Sequence, residues 1–239
     1  MKKIASFCLG VLLTGWLVAS DVTVDTPSVK DVTTLSAQEF LTEIRKPLRM
    51  DAWAEFTGNI TYKSSDRNLK GQLRVRITFD PSSMHTQITL DDRNVYLLEQ
   101  THAEGQAVQC KIERPETELS PGLFDYGILP EDLTFSFLYW DFLEELPRQS
   151  SRLRECRVMR LADPKGQGTV SVWFNAKHGF PMEAWWYAKD STTPWRKLSL
   201  KGAHRYANGL WFVKEMRLEG KDWKTRVLFE HADLNPVGE

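Results

Sequence analysis

From residue 53 onward the chain alternates apolar and polar side chains in run after run. Leu73, Val75, Ile77 and Phe79 are interleaved with Gln72, Arg74, Arg76 and Thr78. Successive side chains of a strand point to opposite faces, so such a run makes one apolar face and one wet face. Strands of this kind belong to antiparallel sheets. Ala54, Phe56, Ile60 and Tyr62 alternate in the same way with Glu55, Thr57, Asn59 and Thr61. Further strands are expected at 84–90, 94–100, 107–113, 155–161, 169–175, 181–187, 195–201, 210–218 and 224–230. Turn chemistry separates them: Asp80-Pro81-Ser82, Asp91-Asp92, Pro164-Lys165-Gly166, Lys177-His178-Gly179, Asn208-Gly209 and Glu219-Gly220. About eleven strands with short connections imply a meander, in a sheet large enough to curl strongly.

Two segments break this period. Ser36 and Glu39 form a capping box, and Phe40, Leu41 and Ile44 follow at helical spacing, so a short helix is expected before Pro47. Residues 114–130 carry Pro115, Pro121, Gly122, Gly127 and Pro130, which signal loop. A second helix is expected over 131–143, opened by Glu131 and Asp132 at its positive end. Phe135, Leu138, Tyr139 and Phe142 share one of its faces. A curled sheet that does not close on itself needs its concave face covered. This helix is the obvious cover, and the space beneath it is packed core or a ligand cavity.

The N-terminus reads as an export signal. Met1-Lys2-Lys3 precedes an apolar run to Val18, and Val18-Ala19-Ser20 supplies small residues for cleavage. The run is shorter than the roughly 20 apolar residues of a spanning helix. Residues 1–20 are therefore set aside, 21–35 read as a loose leader, and 36–239 as one domain. Cys8 lies too early to be a lipidated cysteine, so a soluble exported protein is expected. Of the three cysteines, Cys110 and Cys156 remain. In an oxidising compartment they are expected to pair, which would stabilise the fold by roughly 4 kcal/mol. The alternative is two buried free thiols.

Formal net charge is −1, or −3 once the two lysines of the signal are gone. This balance is too even to suggest nucleic acid, where clustered positive charge supplies most of the affinity. The histidines are scattered without metal-ligand spacing, and neither a G-x-S-x-G elbow nor a phosphate loop occurs. No cofactor or metal is implied, and no enzymatic activity is expected. Trp185 and Trp186 must face opposite sides of one strand, so one ring lies outside, as a partner or membrane surface or beneath a loop.

The order of signal, short helix, strands, aromatic-rich insert and strands resembles the LolA/LolB-like superfamily. Within it, the branch of outer-membrane lipoprotein-sorting proteins is the most similar. Two segments carry the resemblance. One is Leu133-Thr134-Phe135-Ser136-Phe137-Leu138-Tyr139-Trp140. The other runs from Gly209-Leu210-Trp211-Phe212 through Met216 to Thr225, then Asp233-Leu234-Asn235. The resemblance spans residues 36–235. It implies a mainly β (α+β) fold, an incomplete barrel with a helical lid over its concave face. It also implies a periplasmic carrier that passes on acyl chains without covalent chemistry. The expected cavity and lid residues are Phe56, Ile60, Leu73, Val75, Ile77, Phe79, Phe135, Leu138, Tyr139, Phe142, Val172, Trp186 and Met216. Expected partners are lipid or lipoprotein acyl chains and a membrane donor or acceptor protein, with the carrier a monomer. An inner-face arginine that holds the lid shut is implied too, but Arg74 and Arg76 fall on the polar face of their strand. The competing reading is a sensor or interaction module of the same fold.

Overall fold

The computed structural model describes residues 32–45, 52–80, 82–101, 109–205 and 211–236; the expected signal and the leader as far as residue 31 lie outside them. Helix α1 (Ala37–Ile44) begins with the expected capping box between Ser36 and Glu39. Five strands follow: β1 (Ala52–Ser64), β2 (Asn68–Phe79), β3 (Ser83–Leu90), β4 (Asn94–Thr101) and β5 (Gln109–Glu113). A short helix α2 (Pro130–Thr134) lies in the crossing that leads to seven more: β6 (Asp141–Ser151), β7 (Arg154–Ala162), β8 (Gly168–Asn175), β9 (Pro181–Ala188), β10 (Pro194–Arg205), β11 (Trp211–Gly220) and β12 (Trp223–Pro236).

All twelve strands form one antiparallel sheet in the order β5-β4-β3-β2-β1-β12-β11-β10-β9-β8-β7-β6. The sheet is curled and unclosed, with β5 and β6 as its edges. Pairing of β1 with β12 joins the two halves and carries a register shift at Thr57/Gly58. Such a bulge bends the strand and increases its twist. Gly58 is required there, because an added Cβ would stand 2.1 Å from the Leu228 carbonyl oxygen.

The connection from β5 to β6 must travel from one edge of the sheet to the other. In a curled sheet the short route crosses the concave face, so the topology itself makes residues 114–140 a lid. Opposite, the convex face carries charge pairs on β1, β2, β11 and β12. Glu55 pairs with Arg76 and Arg74, and Glu215 with Arg217 and Arg226.

Three expectations need correction. The helix over 131–143 does not run through. It stops at Thr134, Phe135 takes a left-handed conformation (φ 55°), and a 3-10 turn spans Ser136–Tyr139. Phe142 belongs to β6, whose backbone finds a ladder on β7 that a helix would forgo. Strand β6 is accordingly the twelfth, unmarked by alternation. It is an edge strand carrying Glu144, Glu145, Pro147 and Arg148, and its pairing with β7 shifts at Phe142/Glu144 and again at Leu146/Gln149. Charges, a proline and bulges are how edges avoid unwanted pairing. Finally, Cys110 and Cys156 are both free. Cys110 lies on edge strand β5 beside the lid's Ser136, whereas Cys156 belongs to a small convex-face cluster with Val158, Trp173 and Met182. The expected compartment favours a bridge, but topology keeps the two thiols on different faces.

Candidate functional site: a latched lid on the concave face

The concave face is one continuous apolar surface. Phe56, Ile60, Leu73, Val75, Ile77, Val172, Trp186 and Met216 are all buried in its central cluster. Phe79, Phe135, Leu138 and Phe142 are partly buried against that cluster. Tyr139 stands at the end of the lid near Arg45, where burial pushes its phenol above the ordinary value. The expected residues therefore converge on one region. The lid residues that reach deepest are not among them: Leu123, Tyr126, Ile128, Leu133 and Phe137, each at most 2% exposed. Phe137 meets the edge of Trp186 at 5.1 Å. The space between sheet and lid is thus filled by the lid's own side chains.

Polar anchors fix the lid along its whole course. Asn94 on β4 brackets the first stretch, its amide donating to the Leu119 carbonyl (2.6 Å) and its Oδ1 accepting from the Leu119 N–H (2.8 Å). Tyr96 accepts from the Leu123 N–H at 2.8 Å and donates to Glu118. The Thr225 hydroxyl on β12 donates to the Tyr126 carbonyl. Gly127 follows in a left-handed conformation (φ 67°), with the Trp223 ring so close that a Cβ would stand 2.7 Å from it. At the far end Arg45 donates to the carbonyls of Leu138 (2.7 Å) and Trp140 (2.6 Å), tying α1 to the lid.

The central anchor is an ion pair. Arg196 on β10 shares the concave phase with Leu198 and Leu200, which are core residues, and its side chain is 2% exposed. It binds Asp132 of α2, itself 2% exposed, donates to the Gly127 carbonyl at 3.3 Å, and lies 4.9 Å from the Trp186 ring centroid. Asp132 also accepts from the Leu129 N–H at 2.7 Å, closing the first turn of α2. Burial pushes the Asp132 carboxyl up, and Arg196 pulls it back. Desolvation of both charges offsets most of their attraction. Such a pair adds little net stability, but it fixes where the lid sits. Arg74 and Arg76 stay on the convex face with Glu55, whereas Arg196 is on the inner face and contacts the lid.

Beside this latch a cleft of about 310 Å³ opens to solvent, lined by Tyr62, Phe124, Ile128, Trp195, Arg196 and Trp223. Tyr62 and Trp223 stack at 6.1 Å. Aromatic rings therefore rim the joint where the lid meets the sheet. The paired tryptophans split as their parity demands: Trp186 is concave, and Trp185 lies outside against Trp173 (4.6 Å) with Lys197 above it (4.1 Å).

A half-open antiparallel barrel whose edge-to-edge crossing forms a latched lid is a LolA-like fold. The chain is similar to a DUF1329 family protein from Desulfovibrio piger (TM-score 0.66, 14% identity, over 84% of this chain and 92% of that one). It is similar also to an outer membrane lipoprotein-sorting protein domain from Vibrio parahaemolyticus (TM-score 0.66, 12% identity, 84% and 93% covered). A LolA superfamily protein from Nitrosomonas europaea matches with a TM-score of 0.58 and 13% identity, over 86% and 95%. No family model matches the sequence, and no curated protein matches it.

Proposed function

We propose that this protein is an exported, periplasmic carrier that binds the acyl chains of a lipid or lipoprotein on its concave face and passes them on without covalent chemistry. The observation that carries this reading is the construction of the lid. It covers a continuous apolar face, yet it is held by a buried ion pair and by hydrogen bonds to its backbone along its course. Such anchors fix the position of the lid while adding little net stability, which suits a cover that must also lift. Lifting the lid uncovers apolar surface, and each CH₂ of a bound chain contributes about 0.8 kcal/mol. The lid's own side chains compete for that surface, which keeps binding reversible through a shift between closed and open states. The aromatic cleft beside Arg196 is the natural entrance. The sequence pattern expected of an N-terminal export signal and the lipoprotein-sorting domain among the structural neighbours support this reading.

One observation favours a second reading. Because the lid fills the space beneath it, the closed form could serve as a finished interaction module for a partner protein. Native mass spectrometry after gentle purification, together with titration of a fluorescent fatty acid, separates the two. The carrier predicts acyl adducts and saturable binding. Protein that is free of adducts and does not bind the fatty acid contradicts it.

A further inference from the structure

Gln100 ends the concave phase of β4, in register with Tyr96 and Leu98, which are both core residues. It is 0% exposed, yet neither its Oε1 nor its Nε2 has a hydrogen-bond partner among the described residues. Its cross-strand neighbours are Met84 on β3 and Cys110 on β5. Diagonally across, Thr86 on β3 faces Leu98, is 2% exposed, and its hydroxyl also has no partner among the described residues. Diagonal neighbours on one sheet face are within reach of a single bridging group. The lid reaches this corner, where its Ser136 lies beside the Cys110 thiol.

An apolar side chain at position 100 would avoid the desolvation penalty that an unpaired amide leaves uncompensated. Two adjacent polar side chains that stay buried and unpaired in an otherwise apolar wall are a cost to folding, and they are aimed at the surface the ligand would occupy. We propose that Gln100 and Thr86 form a polar subsite that takes the amide group at the head of an acyl chain once the lid lifts. This rests on the carrier reading above. A carboxamide presents one donor and one acceptor side by side, and an amide head group answers both. The hydroxyl of Thr86 adds a donor for the ligand's carbonyl. A neutral head is favoured, because an ionised carboxylate here would bring its own desolvation penalty. The chain then runs over Ile88 and Val75, which are buried on the same face.

The test compares palmitamide with hexadecane as competitors of a bound fluorescent fatty acid, in the wild type, Gln100→Leu and Thr86→Val. Gln100→Leu is expected to weaken palmitamide about tenfold, the worth of one or two neutral hydrogen bonds. Hexadecane should bind as before or better, and the melting temperature should rise because a buried unpaired amide is gone. Thr86→Val should show the same selective loss to a smaller degree. Equal palmitamide affinity in all three proteins overturns the subsite and leaves the carrier standing. So does a Gln100→Leu protein that loses stability and both ligands together, since that marks Gln100 as structural. If the wild type binds neither compound, the carrier reading fails and the subsite fails with it.

Discussion

Replacing Arg196 by leucine will unlatch the lid while leaving the sheet intact. The substitution strands the Asp132 carboxylate in a site where it is 2% exposed and removes the donor to the Gly127 carbonyl. Removing one partner of a buried pair costs about 3–5 kcal/mol, because the remaining charge is uncompensated. That cost falls on docking of the lid, since the backbone ladder between β9, β10 and β11 does not involve the guanidinium. The variant should therefore bind a hydrophobic dye strongly and be cut by protease within residues 114–140, while its far-ultraviolet circular dichroism stays that of the wild type. The double variant Arg196→Leu/Asp132→Leu leaves no buried charge and should reclose the lid. The two effects are then strongly non-additive, as expected for groups in direct contact. An Arg196→Leu protein as protease-resistant as the wild type would remove the ion pair from the account.

The second large effect is expected at Phe137. Its ring is 2% exposed, edge-on to Trp186 at 5.1 Å and to Phe135 at 6.2 Å. Truncating a buried phenylalanine to alanine costs about 3–5 kcal/mol through lost transfer energy and the cavity it leaves. In a simple core this is a stability defect only. In a carrier Phe137 occupies surface that the ligand needs, so Phe137→Ala should bind a fluorescent fatty acid at least about tenfold tighter as the open state becomes more populated. Loss of stability with a parallel loss of affinity would contradict competition between lid and ligand.

These two residues mark what the sequence did and did not disclose. Strands with one wet face are legible from period two, which is why Leu73 to Phe79 reads without ambiguity. Strand β6 lacks that signal because both of its faces are largely exposed and its charges protect an edge. The lid's position is legible from its aromatic content, whereas its break at Phe135 depends on the ladder that β7 offers downstream. Arg196 and Gln100 are hidden for a shared reason. Each is a polar residue in phase with apolar neighbours, Arg196 with Leu198 and Leu200, and Gln100 with Tyr96 and Leu98. Such a phase violation within a clean alternation is a readable signal, and here it falls on the latch and on the proposed subsite. The cysteines failed differently, since two thiols in an oxidising compartment say nothing about which face of the sheet each occupies.

Movement of the lid is the claim on which the functional account depends, and a cross-link tests it most directly. Ser136 in the lid lies beside Cys110 on β5, so Ser136→Cys brings two thiols together across the lid–sheet contact, and Cys156 stays buried on the other face. Uptake of a fluorescent fatty acid would be measured on the variant after complete oxidation and again after reduction. The account predicts that uptake is lost in the oxidised protein and returns on reduction. Full uptake by the cross-linked protein would mean that the concave face beneath the lid is not where the ligand goes.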